Sequence, residues 1–248
     1  KGEQAVAIIG NDLLSRKESE LLQILKAADF KIHEITSCKT YEEYQEMAES
    51  AFYISYNAAA VAGGEMLEKR LGGSHLYLTF SFDYEEIEAG FQKLGEMLRI
   101  EIPDFSEKRE ACERLKKETY ELIGNTPISI DYTYCPRPLG LARMLLDAGF
   151  FVEKVYVDTI TAEEKNDFYY LQKHFPELLL YPTVHAGMRF YAKKEKSHVL
   201  AIGQKAAYFE NTNYFVNVVE GGGMFGYDAV LHTLELMQEA YRKEKDMR

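Results

Sequence analysis

The sequence predicts an α/β protein that contains two parallel sheets, each covered by helices. Apolar runs of four to six residues, rich in Val, Ile, Tyr and Phe, alternate with stretches of helical periodicity along all 248 residues. The connections are short, and short crossovers force parallel strands with right-handed topology. A charge-rich stretch near the middle of the chain interrupts this alternation, which then starts again.

The first series contains four strands and four helices. It is predicted to form strands at Ala5–Ile9, Lys31–Ile35, Ala51–Tyr56 and His75–Phe80 and helices at Ser15–Ala28, Tyr41–Glu49, Ala59–Leu71 and Tyr84–Leu98. In the first helix, Leu21, Leu25 and Ala28 share one apolar face. Ser15, followed three residues later by Glu18, has the spacing of a capping box and predicts that this helix begins at Ser15.

The charge-rich stretch Asp104–Leu122 is predicted to be a long connecting helix. Ala111, Leu115 and Leu122 stay in phase on one side, while most of the other positions are Lys, Arg or Glu. We therefore expect a helix that is solvated over most of its surface. The predicted organisation is a domain at residues 1–103, a connecting helix at 104–126 and a second domain at 127–248.

The second series begins after Gly124. It is predicted to form strands at Ile128–Tyr132, Val152–Val157, Leu178–Pro182, His198–Ile202 and Phe215–Val219 and helices at Leu139–Ala148, Glu163–Phe175, Ala186–Ala192, Lys205–Phe209 and Tyr227–Lys243. The stretches Ala28–Ile32 and Ala148–Val152 both place a helix end, a turn and a second strand in their series, which suggests a distant internal repeat. The fold class is thus two Rossmann-like α/β domains joined by a long helix.

Composition and charge narrow the possible partners. The net charge of −11 disfavours binding to nucleic acid and to membrane surfaces. There is no apolar stretch long enough to span a membrane and no signal-peptide pattern, so we expect a cytoplasmic protein. Cys38, Cys112 and Cys135 lack metal-ligand spacing, so no metal site within the chain is predicted. The absence of an initiator Met suggests a piece of a longer protein.

Ligands of parallel sheets bind at the carboxyl ends of the strands, so the search for chemistry is confined to the residues that follow each strand. Cys135 and Arg137 follow the first strand of the second domain. They are equally compatible with an anion clamp at a helix N-terminus and with a turn stiffened by proline. Lys205 follows another strand and could meet a carboxylate, although exposed lysines near helix starts are commonly solvent-facing.

Three further groups of residues occupy equivalent positions. They are Tyr56 and Asn57, His185, and the loop Gly221, Gly222 and Gly223, whose backbone can approach a ligand closely. Each of these groups is also compatible with a turn or capping role. No nucleophile motif and no metal-binding His pair is present, so no catalytic residue is assigned.

Together these strand ends resemble the carboxyl-terminal two domains of nitrogenase component 1, the family of molybdenum-iron protein subunits, cofactor-scaffold proteins and dark-operative reductases. The resemblance follows the family's order through the stretches Tyr56–Gly72, Phe80–Asp83, Cys135–Pro138, Leu145–Phe150, Gly203–Lys205 and Phe225–Ala229. It implies a chelatase- or nitrogenase-type pair of lobes. It also implies an oxidoreductase-type subunit that binds a metal cluster or tetrapyrrole between its two α/β domains.

The resemblance implies further partners and site residues. Electrons would come from an ATP-dependent iron-sulfur reductase, and a related component 1 subunit would complete a homo- or hetero-oligomer. Arg137 and Lys205 correspond to basic groups that line the family's cofactor pocket. The family's cysteine ligand falls at Tyr56, and its histidine ligand falls within Val216–Glu220, where there is no His. An iron-sulfur-type cluster or tetrapyrrole is thus implied for the full-length protein, with none expected to bind tightly to this segment, which alone would be inactive.

Two other classes of protein fit the same organisation. A metal-chelate or tetrapyrrole-binding module without catalytic turnover would also have two similar α/β lobes joined by a helix. A nucleotide- or sugar-handling enzyme of two Rossmann-like lobes, such as a glycosyltransferase, is disfavoured because Gly10–Leu13 is too sparse in glycine for a nucleotide-binding first turn.

Overall fold

The computed structural model describes residues 2–191 and 195–245. Within them, the chain is α/β with two all-parallel sheets, of four and five strands, which confirms the predicted fold class. The chain divides into two compact units. The first contains the residues up to Glu107 together with Gly222–Ala229, and the second contains Lys108–Gly221 and the residues from Val230 onward.

The first unit is built on a sheet with the strand order β2-β1-β3-β4. Its elements are β1 (Gly2–Ile8), α1 (Glu20–Ala27), β2 (Lys31–Glu34), α2 (Tyr41–Glu46), β3 (Ser50–Ser55), α3 (Val61–Leu71), β4 (Ser74–Tyr77) and α4 (Tyr84–Leu98). Val6 of β1 pairs in parallel register with Ile32 and Phe52. The connections leave in opposite directions from β1 and β3, so the ligand-binding crevice expected of such a sheet lies at the ends of these two strands.

The N-cap of helix α1 lies four residues later than the capping-box spacing predicted. The N-cap is Ser19, and Ser15 instead donates its hydroxyl to Glu34 Oε1 at 2.5 Å. The predicted start at Ser15 is therefore wrong, because the side chain that could cap the helix is held by a buried carboxylate at the end of β2. The predicted apolar face is present, since Leu21 and Leu25 are fully buried.

The segment that precedes the last helix is part of the first unit. The carbonyl of Gly223 accepts from the Arg16 N–H at 2.9 Å, and the Arg16 guanidinium pairs with Asp228 at 2.9 Å. Gly223 has φ +74°, and a Cβ there would overlap the Leu14 carbonyl oxygen. Only glycine combines this backbone conformation with so close an approach. The glycine at this position is thus accounted for by packing.

The second unit contains a sheet with the strand order β7-β6-β5-β8-β9. Its elements are α5 (Ser106–Ile123), β5 (Ile128–Asp131), α6 (Pro138–Asp147), β6 (Val152–Tyr156), α7 (Lys165–His174), β7 (Leu179–Tyr181), β8 (Leu200–Ile202), α8 (Gln204–Glu210), β9 (Phe215–Val216) and α9 (Tyr227–Arg242). Helix α5 begins just before the unit boundary and α9 begins in the first unit. The strand order of this sheet reverses between β5 and β8, so a ligand-binding crevice is expected between these two strands.

Two predicted elements of the second unit are shorter than expected. The helix predicted at Ala186–Ala192 is a 3₁₀ turn at Ala186–Phe190, and Ala192 lies outside the described residues. Strand β9 ends at Val216 instead of Val219. The 3₁₀ turn Glu220–Gly223 follows. All four of its residues have positive φ, which turns the chain away from the direction of the strands.

A long helix, α5, lies in the predicted stretch, and most of its surface is exposed as predicted. Its buried positions are Cys112, Thr119 and Ile123. The predicted stripe of Ala111, Leu115 and Leu122 is only half-buried, because the buried side is rotated by one residue. Thr119 is tolerated there because its hydroxyl donates to the Leu115 carbonyl at 2.7 Å.

The suggested internal repeat is present at one turn in each unit, but it does not extend to the whole sheets. Helices α1 and α6 are both followed, two residues after their last residue, by one with positive φ, Asp29 and Gly149. The next N–H in each case donates to a carbonyl five residues back. The strand orders of the two sheets nevertheless differ, so the units are not copies of one topology. None of the helices in the described part of the chain is long and apolar enough to cross a membrane.

Candidate functional site

The buried carboxylate of Asp131 holds together the ends of β5 and β8. Its Oδ2 accepts from the Ala206 N–H at 2.7 Å, and its Oδ1 accepts from the N–H of Thr133 at 2.7 Å and from the Thr133 hydroxyl. Gly203 caps α8 without a side chain and has φ +111°, and a Cβ there would overlap Asp131. The carboxylate of β5 therefore supplies the capping acceptor that Gly203 lacks.

Four polar side chains follow the strand ends of this sheet, and we call them the tip network: Tyr132 after β5, Asp158 after β6, Thr183 after β7 and Lys205 after β8. The Lys205 ammonium donates to the hydroxyl of Tyr132 and to Thr183 Oγ1, the latter at 3.3 Å. Thr183 in turn donates to Asp158 at 2.9 Å. Two hydroxyl groups thus lie between an ammonium and a carboxylate.

The electrostatics of the tip network favour an ionised Asp158. Burial opposes ionisation of Asp158, but hydrogen bonds from Thr183, the Val184 N–H and Tyr132 outweigh it and lower the pKa of this carboxyl. Lys205 lies 4.2 Å from the centroid of the Tyr132 ring. No carboxylate in the described residues pairs directly with the ammonium, which has three N–H donors and uses two of them.

Arg137 lies after β5, as its sequence position indicated, but its side chain is buried. It is 3% exposed, and its Nη2 pairs with Asp167 of α7 at 2.6 Å. Arg143 reaches the other oxygen of the same carboxylate at 3.1 Å from a more exposed position. The sequence placed Arg137 correctly before α6, but the acidic partner lies 30 residues away and has no local signal. The guanidinium therefore ties α6 to α7.

Cys135 and His185 occupy different environments although both follow strands. Cys135 is fully buried, and burial raises the pKa of its thiol, so the thiolate that binds metals is disfavoured. His185 is exposed, and its Nδ1 accepts from the Gly187 N–H at 3.1 Å at the start of the 3₁₀ turn. Cys135 is thus a buried thiol, and His185 caps a 3₁₀ turn.

Tyr56 and Asn57 lie at the end of β3 in the first unit. Tyr56 is buried, and its hydroxyl lies 2.9 Å from Ser15 Oγ, which itself donates to Glu34. Burial raises the pKa of Tyr56 to about 12, so the phenol stays protonated at neutral pH. Asn57 caps the following 3₁₀ turn by accepting from the Ala59 N–H at 3.0 Å. Both side chains have protein partners.

The glycine loop is held by backbone bonds within each unit. The N–H of Gly221 donates to the Tyr134 carbonyl at 2.7 Å, and the preceding N–H of Glu220 donates to Thr133 at 2.9 Å. In the first unit, Gly223 bonds Arg16 as described above. The structure brings Gly221 next to the strand end that carries Tyr132. It does not bring Cys135, Arg137 or His185 into the tip network.

Sequence reasoning missed Tyr132 and Asp158 as site residues. Tyr132 is the first residue after β5 and Asp158 is the second residue after β6, so the rule that ligands bind at strand ends could have found them. Both were missed because the search favoured cations and flexible loops over neutral or acidic side chains. Their importance comes from Lys205, which lies about 50 to 70 residues further along the chain.

Direct metal coordination does not fit the side chains in residues 2–191 and 195–245. No three His, Cys, Asp or Glu side chains there are grouped so that they could hold a metal ion. Cys38 donates to the Glu34 carbonyl at 3.3 Å, and Cys112 and Cys135 are buried. The chemistry of the tip network instead suits an anionic group bound by an ammonium and hydroxyls.

Comparison with known proteins decides the family. A family model described as nitrogenase component 1 type oxidoreductase matches residues 1–241. The chain belongs to this family. The resemblance inferred from the strand ends is therefore confirmed.

Two solved structures show the fold relationship of this nitrogenase component 1-type chain. Nitrogenase Cp1 at pH 6.5 is similar with a TM-score of 0.63 and 14% identity, over 98% of this chain and 60% of that chain. The chain thus spans about 60% of the length of that nitrogenase chain. The Helicobacter pylori protein Ceue with Ni(II) bound gives a TM-score of 0.36 and 11% identity over 96% and 84% of the two chains, which is too low to indicate a shared fold. Comparison with curated proteins gives no match.

Near Arg137, the carboxyl of Glu164 caps helix α6. Its Oε1 accepts from the Leu139 N–H at 2.9 Å, and the residue is 1% exposed. Burial raises the pKa of Glu164 to about 7, although the Leu139 bond and the Arg137 charge act against this. Glu164 is therefore a buried carboxyl that binds a proton up to neutral pH.

We expect Arg137→Ala to lower the free energy of unfolding by about 3 kcal/mol, because it leaves the Asp167 carboxylate buried with only its outer partner. Arg143→Ala is the matched control, since it removes the half-exposed partner of the same carboxylate, and should cost about 1 kcal/mol. Urea unfolding of both variants measures the difference. Equal costs would contradict the assignment of Arg137 as the buried partner.

Glu164 predicts a pH dependence of stability. The folded protein keeps this proton up to about pH 7, whereas an unfolded chain loses it near the ordinary value of 4.5. The contribution of this proton to the free energy of unfolding is therefore fully present below pH 4.5. It is lost as the pH rises through 7, by on the order of 3 kcal/mol. Glu164→Gln retains the acceptor for Leu139 and should flatten this part of the profile. Parallel profiles of the two proteins in urea unfolding from pH 4.5 to 8 would contradict the raised pKa.

Proposed function

We propose that this chain is a divergent component 1-type subunit that binds an anionic tetrapyrrole or metal-sulfur cluster and takes part in its ATP-dependent, low-potential chemistry with partner subunits. The observation that carries the proposal is the Lys205 ammonium at the β5–β8 crevice, held by two hydroxyls. Family membership supports the class of reaction. The strand order supports the position of the site, because open parallel sheets bind ligands where the strand order reverses.

Among the two ligand classes, the described residues favour a tetrapyrrole that carries carboxylates. A cluster held directly by the chain would need thiolates or imidazoles, and the described residues contain no group of three His, Cys, Asp or Glu side chains that could hold a metal ion. A carboxylate needs N–H and O–H donors, which Lys205 can provide with a third N–H. We therefore derive no coordination step for a cluster in this part of the chain.

In this proposal the residues of the tip network have separate roles. Lys205 binds the ligand carboxylate through its ammonium. Tyr132 and Thr183 are positioning residues, because they accept from Lys205 and thereby fix the direction of its remaining N–H. Asp158 keeps the network charge-balanced in the absence of ligand. When bound, the tetrapyrrole would supply the conjugated system that accepts electrons.

The partners follow from the family in the same way. We propose a related component 1 subunit, as a homo- or hetero-oligomer, and an ATP-dependent iron-sulfur reductase as the source of electrons. The acidic chain, with a net charge of −11, suits partners other than nucleic acid. Because the chain spans 60% of the solved nitrogenase chain, turnover is proposed for the assembled protein.

Lys205→Met should weaken binding of a carboxylated tetrapyrrole about tenfold, because it retains the aliphatic stem and removes the charge. The measurement is fluorescence titration of coproporphyrin III into the anaerobically purified protein. Lys205→Arg should retain most of the affinity. Lys173→Met is the matched control, since it removes an exposed lysine from α7 in the same unit.

The same experiment separates the proposed alternatives. The tetramethyl ester of coproporphyrin, which has no negative charge, should bind equally to the wild type and to Lys205→Met. Equal affinity of the free acid for the two proteins would exclude Lys205 as the anion contact. Binding without ATP-dependent reduction in the reconstituted assembly would instead support a tetrapyrrole-binding module without turnover.

A further inference from the structure

The first unit contains a pocket of about 620 Å³ that has no role in the proposed function. It lies beside the ends of β1 and β3 and is bounded by helices α2 and α3. Its buried floor is formed by Ala7, Met47 and Tyr53, which also pack together as a small core cluster. We call it the α2–α3 pocket. Its volume is within the range of 300–1,000 Å³ that is typical of sites for small molecules.

The walls of the α2–α3 pocket are almost entirely apolar. None of the side chains that line it carries a charge, and the polar groups among them are two tyrosines and Gln45. The Tyr53 hydroxyl already donates to the Ala48 carbonyl at 3.3 Å, so polar contacts with a ligand are left to Tyr44 and Gln45 of α2. Ile35 and Tyr44 are both more than 40% exposed and line this pocket, so apolar surface faces solvent there.

Small residues maintain this space. Ala7, Ala48 and Ala60 contribute only methyl groups to the lining, and Gly10 and Gly63 contribute none. A Cβ built at Gly10 would overlap the Ala60 methyl group, so a larger residue does not fit there. At Gly63 of α3 a Cβ would meet nothing within 4 Å. Glycine inside a helix costs about 1 kcal/mol relative to alanine, and no packing contact explains it at this position.

The charges around the pocket select against anions. Helix α2 carries Glu42, Glu43 and Glu46, all of them exposed. Lys31 pairs with Glu46 at 2.9 Å, and the exposed Lys39 lies just before the helix, so the acidic groups outnumber the basic ones by one. A ligand with a carboxylate or phosphate at the mouth would meet net negative charge, whereas a neutral ligand would not.

We propose that the α2–α3 pocket is a binding site for a neutral, largely apolar small molecule of drug size, with one uncharged polar group directed at Tyr44 and Gln45. Removal of apolar surface from water at the floor and mouth provides the driving force. The site differs from the tip network in unit, lining and charge. It therefore does not depend on the proposed function.

The test uses N-phenyl-1-naphthylamine, a neutral apolar fluorophore, with the full chain. Wild type should bind it saturably at one site. Affinity should fall in the order glycine, alanine, leucine at position 63, with Gly63→Leu at least tenfold weaker, because the side chain occupies the pocket. The stability of Gly63→Ala should rise by about 1 kcal/mol, since alanine is the better helix former. If Gly63→Ala gains stability while its affinity for the fluorophore falls, the loss of affinity cannot be attributed to unfolding.

Gly90→Ala is the matched control. Gly90 lies within helix α4, and a Cβ there would make only an ordinary contact with Leu78 at 3.9 Å. This variant should gain similar stability and bind the fluorophore like the wild type. Binding that is unaffected by Gly63→Leu, or that fails to saturate, would overturn the proposal.

Two competition experiments test which kind of molecule binds in the pocket. Decanol should displace the fluorophore at least fivefold better than decanoate at pH 8, because of the acidic surroundings. Equal displacement would overturn the neutral class. Displacement of the fluorophore when the chain assembles with its partner subunit would also overturn the proposal, because the pocket would then accept a protein side chain.

Discussion

The buried carboxylate of Asp131 is the interaction on which the rest of the proposed site depends. A carboxylate inside a sheet is costly unless donors surround it, and burial does raise the pKa of Asp131 despite its bonds to Thr133 and Ala206. These bonds connect the end of β5 to the start of α8. Because Gly203 has no side chain, the two strand ends come close enough for Lys205 to reach Tyr132.

The two units use the reversal of strand order in different ways. In the second unit the β5–β8 crevice contains a cation balanced through hydroxyls by Asp158, which suits a charged ligand. In the first unit the β1–β3 crevice contains Ser15, Glu34 and Tyr56, which satisfy one another, and the adjacent pocket is apolar. The local repeat at Asp29 and Gly149 thus preserves a turn, while the chemistry of the crevices has diverged.

Much of the fold could be predicted because it depends on local patterns. Alternating apolar runs fix the strands to within a few residues, and helix α4 has the predicted bounds Tyr84–Leu98 because Asp83 is a strong N-cap, accepting from Glu85 and Glu86. The start of α1 could not be predicted, since Ser15 has two competing partners and only the tertiary structure selects Glu34.

The candidate site was less accessible to sequence reasoning because its contacts are long-range. Lys205 and the glycine loop could be proposed from their positions after strands. The burial of Arg137 could not, since its pairing with Asp167 depends on how α6 packs against α7. The α2–α3 pocket likewise arises from small residues that are spread between Ala7 and Gly63 along the chain. No periodicity in the sequence indicates that their side chains leave a common space.

The most direct test of this account is backbone amide hydrogen exchange at Ala206 and Thr133, followed by NMR in the wild type and in Asp131→Asn. The account predicts strong protection of both amides in the wild type. In the variant at least one of them should lose protection, because a carboxamide can accept on only one side. The Leu200 amide, which bonds the Pro127 carbonyl, should be unchanged in both proteins. Rapid exchange of Ala206 in the wild type, or no change in the variant, would contradict the central role of Asp131.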